Sequence, residues 1–523
     1  MLKEVKLEQA IRYSDGDEVE SWLNRLLMLD STESEPIYEG YPHPSELELY
    51  YINRDTLFSF HKTSEGFLKK LMSLFVSSHY KNSPNDLQLL SDAPAHGIFA
   101  LCKSLDKAKG KSIPDIYAAI QICEEGGIDK NVILNNNKRG FKPAGDLIPW
   151  TLSDYFQDNE FPLMSGIRVV RIATHPDCQR MGYGTRALEL LCEYYEGKMV
   201  NLDMEEDEPE EPKETSDEIK PKKKLKPLLA KLTDVKPPKI NYIGTSFGLT
   251  SELFNFWKKN DFYPLYLKLT ENDITGEHSC IMLRAIKDDE IKTIEGGETN
   301  WIIPYANDFK KRMTTLLGSN ELKNLNVKLA LSLLDPQLTT TTNMDKDDDK
   351  EYEESKSTLQ KIQLDVFITN QDFKRMQSYT NNINTFTNIM DLLDYLAKFF
   401  FLNKFKEIRL SYTQAAILLG YGIQKKSLDI IRDELELKNK KLTTDEMLAL
   451  FFKIVKKFTT AIRKIYEKEV EDKPVSGVSL PTSNIAIDLH EDLEEESKKI
   501  KKKDKEAKHN YNNMLKKKRN HDS

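Results

Sequence analysis

The chain of 523 residues has no run of about eighteen apolar residues, so it offers no membrane-spanning helix. Its first residues, MLKEVKLEQAIRYSDGDEVESW, are charged from the third position. They contain no apolar stretch of the kind a signal peptide needs, which argues against secretion. Cysteine is scarce: Cys102, Cys123, Cys178, Cys192 and Cys280 are odd in number and none stands in C-x-x-C spacing. That argues against a disulfide framework and against a structural zinc site, and leaves a reducing compartment as the expectation. No metal site is expected. No G-x-x-x-x-G-K-[ST] phosphate loop exists, since Gly110-Lys111-Ser112 lacks the upstream glycine. No internal repeat is visible. Hydrophobic residues make up 39% and charged residues 31%, against a usual ~45–50% and ~25%. The length suggests about three to five domains, with part of the chain left as solvated linker or tail.

What is present divides by composition. Glu18–Leu27 reads as an amphipathic helix with Val19, Trp22, Leu23, Leu26 and Leu27 on one side. Tyr38 to His43 reads as loop, Leu47 to Phe60 as strand or hairpin, and Phe67 to Val76 as a buried helix ending in the polar stretch Ser77–Asp86. His96–Cys102 and Ile116–Cys123 read as strands. FPLMSGIRVVRIATH at 161–175 is a β-branched strand, followed by a glycine turn and the helix Thr185–Glu196. Residues 203–239 are acidic, then basic, with recurrent proline and no aromatic residue, which predicts a disordered insertion. Order resumes with a strand from Ile240, a helix Thr250–Asn260, and strands Tyr263–Leu269 and Ser279–Ile286. From Trp301 the periodicity is helical over Ile302–Leu317, Leu322–Leu334, Asn381–Leu402, Thr413–Leu419 and Thr444–Lys468, with an acidic linker at about 336–357. The formal net charge of -8 hides segregation: Lys498 to Ser523 holds eleven lysines and arginines against three acids.

The chemistry concentrates in Arg171-Ile172-Ala173-Thr174-His175-Pro176-Asp177-Cys178-Gln179-Arg180-Met181-Gly182-Tyr183-Gly184-Thr185. It contains Q-x-x-G-x-G between a strand and a helix. Glycines there let backbone N–H groups approach a diphosphate without Cβ interference, and the helix start adds partial positive charge.

This segment resembles the pyrophosphate loop of the GNAT acetyltransferases. Five longer blocks resemble the eukaryotic RNA cytidine acetyltransferases in order: SSHYKNSPNDLQLLSDAPAH (77–96), GDLIPW (145–150), SGIRVVRIATHPDCQRMGYGTRALELL (165–191), SFGLTSELFNFWKKNDFYPLYLK (246–268) and NDITGEHSCIMLR (272–284). The likeness covers about 1–470. It implies an α/β GNAT domain, a mixed sheet flanked by helices, over 31–290, followed by an all-α, RNA-binding domain over 300–470. A tail over 471–523, basic from 498, would be disordered. Residues 1–30 would be the remnant of a helicase-like ATPase module. The activity implied is acetyl transfer from acetyl-CoA to N4 of cytidine in small-subunit rRNA and tRNA. The implied partners are the 18S rRNA precursor, tRNA, an adaptor protein that presents tRNA and the small-subunit processome, in the nucleus and nucleolus.

The resemblance also implies residue roles. Ile172, Ala173 and Thr174 would bond the pantetheine arm of acetyl-CoA. Gln179, Arg180, Met181, Gly182, Tyr183, Gly184 and Thr185 would cradle its pyrophosphate, and Lys259 falls at a basic position that contacts the cofactor. Arg12 matches a nucleotide contact, but without a phosphate loop it makes no ATP site, so ATP with magnesium is expected only if the ATPase module is present. Many GNAT enzymes use a tyrosine as acid for the departing thiolate; here Trp257 stands in its place, and Asp261 replaces a glycine. Cytidine N4 is a poor nucleophile and must lose a proton, so a base is needed. His79 is the favoured candidate, because histidine titrates near pH 6.5, with His175 and His96 behind it. Arg171 would hold either an RNA phosphate or a carboxylate. Lys425-Lys426, Lys438, Lys440, Lys441, Lys453, Lys456 and Lys457 would contact RNA in the helical domain, with Lys498–Lys508 and Lys516–Arg519 adding salt-sensitive affinity or a nuclear address. Protein lysine acetylation and a non-catalytic ribosome-assembly scaffold remain alternative readings.

Overall fold

The structure, a computed structural model, describes residues 11–31, 34–78, 82–105, 113–139, 145–199, 226–286, 300–334, 364–405, 407–435 and 443–470. By its contacts the chain divides into two units, Met1–Ile465 and Tyr466–Ser523. The acetyltransferase and helical parts expected at 31–290 and 300–470 therefore share one unit up to Ile465.

In chain order the first part runs α1 (Glu18–Leu27), β1 (Leu47–Ile52), α2 (Arg54–Leu57), α3 (Lys62–Ser78), α4 (Pro84–Asp92), β2 (His96–Lys103), β3 (Ala118–Gly126), α5 (Lys130–Arg139), α6 (Leu147–Phe156), β4 (Ser165–Thr174), α7 (Tyr183–Tyr195), β5 (Leu229–Lys231), β6 (Tyr242–Gly248), α8 (Ser251–Lys259), β7 (Tyr263–Glu271) and β8 (His278–Ala285). The strands form one sheet in the order β5-β1-β2-β3-β4-β6-β8-β7. Every pairing is antiparallel except β4 with β6. Under one half of a sheet face, α3 and α4 bring Phe67, Leu71, Phe75 and Leu90 against Ile98, Ala100, Ala119 and Ala173. A second cluster joins Ile148 and Leu152 of α6 to Tyr242, Leu265, Ile281 and Leu283.

Local chemistry sets the boundaries. Asp17 caps α1 by accepting from Val19 and Glu20 N–H, while Val19, Trp22 and Leu26 stay exposed. The stretch read as strand or hairpin from Leu47 to Phe60 is only half strand. Asn53 accepts from Thr56 N–H and starts α2 instead. The polar stretch Ser77–Asp86 holds a helix start, because Ser83 and Asp86 form a capping box and Pro84 sits in the first turn. The insertion read over 203–239 is shorter than expected. Its residues 203–225 lie outside the described residues, but Leu229–Lys231 is a strand paired with β1. Leu228 and Leu229 pack on the core there, and Asn53 N–H donates to the Leu228 carbonyl.

The helical part contains α9 (Ile302–Leu316), α10 (Val327–Leu334), α11 (Asn370–Thr380), α12 (Leu393–Phe401), α13 (Tyr412–Leu418), α14 (Leu428–Glu434) and α15 (Thr444–Val470). The single helix read over Asn381–Leu402 is broken. Asn382 takes φ +57°, a 3-10 stretch covers Phe386–Leu392, and α12 follows. Lys426 is not an RNA-facing cation. It is buried, and its Nζ donates to both Glu434 carboxylate oxygens at 2.7 and 2.8 Å and to the Leu325 carbonyl at 2.7 Å. Glu434 in turn accepts from Val327 N–H at the start of α10. Lys457 donates to the Arg409 carbonyl at 2.6 Å. Lys425 and Lys456 are exposed, and Lys438, Lys440, Lys441, the acidic linker and the basic tail lie outside the described residues.

Candidate active site

β4 pairs with β3 as far as Thr174, but with β6 only from Gly166 to Val169, opposite Tyr242 to Thr245. β6 then continues with β8 to Gly248. The two parallel strands part, and among the described residues no strand lies beside Ile172, Ala173 and Thr174 on the side facing β6. The parting begins at a bulge. Val170 is the extra residue between Val169, opposite Ile122, and Arg171, opposite Gln121. A bulge bends its strand and re-aims the residues beyond it.

Beyond Thr174 the chain makes a tight turn. His175 caps a 3-10 turn over Pro176–Cys178. Its Nδ1 accepts from Asp177 N–H, and its Nε2 donates to the Glu35 carbonyl at 2.8 Å. Arg180 takes φ +63° and Gly182 φ +92°. Gly182 is the N-cap of α7 and supplies no side-chain cap. The first N–H groups of α7 are thus left to a ligand or solvent, where the helix dipole favours an anion. A Cβ on Gly184 would lie 3.1 Å from Thr174 Oγ1 and 3.6 Å from the Phe256 ring. The end of β4, the start of α7 and α8 converge on that glycine.

The end of β4, Ile172, Ala173 and Thr174, thus leads into the turn and helix start Gln179, Arg180, Met181, Gly182, Tyr183, Gly184 and Thr185, and Thr174 meets that start at Gly184. Gln179, Arg180, Met181 and Gly182 are exposed, while Ala173 and Tyr183 are buried. Lys259 is exposed in the last turn of α8. Arg12 is exposed ahead of α1, and a lone arginine does not fit an ATP site. His79 lies outside the described residues.

The other sequence candidates resolve by geometry. Arg171 holds a carboxylate: its Nη2 lies 3.0 Å from Asp86 Oδ2, and Nη1 donates to Asn82 at 3.3 Å. This ties β4 to the segment directly after His79. His175 is committed to the turn through both ring nitrogens. His96 Nδ1 meets Gln121 Nε2 at 3.0 Å, and burial, with Arg168 and Arg54 nearby, lowers its pKa. Trp257 is core, stacked with Phe247 and edge-on to Phe262. Asp261 takes φ +64°, the left-handed conformation a short polar side chain tolerates. Cys178 sits in the turn, but burial pushes its thiol up to about 11, so it stays protonated near neutral pH and is no acyl carrier. Among the described residues no group of three His, Cys, Asp or Glu is placed to hold a metal ion, and no helix is long and apolar enough to cross a membrane.

Sequence reasoning missed the loop 35–44 as part of this site. Tyr183 Oη donates to the Pro42 carbonyl at 2.6 Å, and Tyr117 Oη to the Gly40 carbonyl at 2.7 Å. Asp115 accepts from Tyr38 and Glu39 N–H and from Lys70 Nζ. Burial opposes the charge on Asp115, yet these donors hold its pKa below the ordinary aspartate value. The only sequence signal was Tyr41-Pro42-His43-Pro44, a stiff stretch.

Family models match in three places: "GNAT acetyltransferase 2" over residues 70–287, "Possible tRNA binding domain" over 301–520, and "RNA cytidine acetyltransferase NAT10/TcmA, helicase domain" over 1–30. Proteins named RNA cytidine acetyltransferase are similar over most of the chain. The Dictyostelium discoideum protein is 44% identical over 90% of this chain and 46% of its own. The Homo sapiens protein is 41% identical over 96% and 48%, and the Saccharomyces cerevisiae protein 42% identical over 90% and 44%. Among solved structures, the ribosomal-protein-S18-alanine N-acetyltransferase from Escherichia coli is 11% identical, with TM-score 0.24 over 49% of this chain and 99% of that one. The chain spans about half the length of the curated relatives it matches. It has an α/β GNAT fold followed by a helical part, and over most of its own length it is similar to proteins named RNA cytidine acetyltransferase.

Proposed function

We propose that this chain transfers the acetyl group of acetyl-CoA to N4 of cytidine in RNA. The observation that carries the reading is the parting of β4 and β6 beside an uncapped, glycine-turned start of α7, in a chain whose relatives bear that activity in their names. The free edge at Ile172–Thr174 offers backbone groups to the pantetheine amides. Gln179–Thr185 receives the diphosphate, and Lys259 adds a cation on α8. Acetyl-CoA supplies the thioester. N4 attacks its carbonyl, the C–S bond breaks, and N4 loses one proton while the thiolate gains one. His79 is the candidate to take the N4 proton. No step is assigned to ATP.

The RNA acceptors we assign are the small-subunit rRNA precursor and tRNA, the latter presented by an adaptor protein. The "Possible tRNA binding domain" match over 301–520 supports the tRNA part of this reading. A role in ribosome biogenesis, with the processome as partner and the nucleolus as site, belongs to the same reading. The test is to incubate the full chain with acetyl-CoA and either RNA or a lysine-rich protein, and to quantify N4-acetylcytidine and acetyl-lysine by mass spectrometry. N4-acetylcytidine formation is expected. Acetyl-lysine alone would replace the reading with protein acetylation, and no acetyl-CoA binding at all would leave a scaffold.

A further inference from the structure

The diphosphate turn is gripped from outside at both ends by one upstream segment. At its start, His175 Nε2 donates to the Glu35 carbonyl at 2.8 Å. At its end, Tyr183 Oη donates to the Pro42 carbonyl at 2.6 Å. Between these, a Cβ on Gly182 would touch the Pro44 ring at 3.5 Å. The segment is itself fastened to the sheet, by Tyr117 Oη on the Gly40 carbonyl, by the Asp115 carboxylate on Tyr38 and Glu39 N–H, and by Lys103 Nζ on the Glu39 carbonyl. Tyr117 and Tyr183 also pack ring to ring at 5.3 Å, and the Tyr117 carbonyl accepts from His175 N–H.

The turn needs such support. Arg180 holds φ +63° although it is not glycine. Such a conformation persists only when its surroundings over-determine it, and strain of this kind collects at ligand sites. Neither Gln179 nor Arg180 is buried, so packing of their own side chains does not impose it. The constraint comes from the two flanking residues.

We propose that His175 and Tyr183 are positioning residues for the cofactor: anchored on the carbonyls of Glu35 and Pro42, they hold the Pro176–Gly182 turn in its diphosphate-receiving conformation. This rests on the proposed acetyl-CoA site. His175 is then no acid or base in acetyl transfer, since both ring nitrogens are committed to the turn and its strap.

The experiment is calorimetry on the full chain with two probes: acetyl-CoA, and S-acetylpantetheine, which keeps the thioester arm but lacks the diphosphate and nucleotide. Tyr183→Phe removes one hydrogen bond and His175→Leu two, and each is expected to weaken acetyl-CoA binding at least about three- to ten-fold. S-acetylpantetheine binding should not change. His175→Gln keeps an N–H donor and should restore most of the loss. Tyr117→Phe, which loosens the strap away from the turn, should show the same probe selectivity more weakly and guards against a variant that fails to fold. Equal affinity of wild type and Tyr183→Phe for acetyl-CoA would overturn the proposal, as would an equal loss for both probes, which signifies general loosening. Failure of the unaltered chain to bind acetyl-CoA would instead overturn the cofactor reading itself.

Discussion

At position 184 two neighbours decide what a side chain would do. A Cβ there lies 3.1 Å from Thr174 Oγ1, which can rotate, and 3.6 Å from the Phe256 ring, an ordinary contact. Gly184→Ala should therefore fold normally and bind acetyl-CoA somewhat more weakly. Gly184→Glu sends a longer, negatively charged chain toward the place where two phosphates would sit. It should abolish acetyl-CoA binding in calorimetry while shifting the melting temperature only slightly. Undiminished affinity of the Glu variant would remove the diphosphate assignment. His79 makes a different demand. It follows α3 directly in sequence, and Arg171 fastens the next described residues, Asn82 and Asp86, to β4. His79→Ala should leave acetyl-CoA affinity nearly intact and slow single-turnover N4-acetylcytidine formation about 10²–10⁴-fold, the usual loss for a general base. A near wild-type rate would leave the histidine without a role in proton transfer.

Among the elements, the legible ones were those whose pattern repeats within themselves. β4 shows as a β-branched run between Pro162 and a glycine turn, and α7 as an apolar stripe over Ala187, Leu188, Leu191 and Tyr195. α4 was hidden because its start is a capping box in a polar stretch, and β5 because two leucines sat among lysines and prolines. The loop 35–44 was illegible for a deeper reason: it grips the turn with backbone carbonyls, which every sequence has. Across the expected boundary at 290–300 the core is nevertheless shared. Ile302 of α9 is fully buried in the cluster with Ile148, Phe161, Tyr242 and Leu283. Trp301 meets Phe161 and Tyr242, and Arg312 lies 4.5 Å over the Tyr155 ring while donating to the Tyr155 carbonyl. α9 thus closes the core of the acetyltransferase sheet. Ile302→Ala should destabilise by about 2–5 kcal/mol in urea unfolding, and should lower cooperativity of the sheet and not only of the helices. A loss under about 1 kcal/mol, well below that range, would show that the two parts are energetically separate.

For the whole molecule, charge is where sequence and structure divide the work. Folding takes Lys426 inside, whereas Lys453, Lys456 and Lys457 stay exposed, so the helical part presents one cation fewer than its sequence suggested. On the proposed RNA-binding reading, Lys498–Ser523 adds a dense cationic stretch, with eleven lysines and arginines against three acids in a chain of formal net charge -8. Without that stretch the remaining chain would carry net charge -16, and a polyanion such as RNA would meet a repelling body. Deleting 498–523 should therefore weaken RNA binding and flatten its dependence on salt, by ~0.7 log units per lost contact on single strands and ~0.9 by the B-form DNA value. The measurement is RNA affinity at several salt concentrations, with acetyl-CoA affinity as the control. The control should not move, since the diphosphate turn at 175–183 owes its shape to residues 35–44 and to Tyr117. Unchanged RNA affinity and salt slope would place RNA attraction on exposed lysines such as Lys425 and Lys456 and on the acetyltransferase face instead.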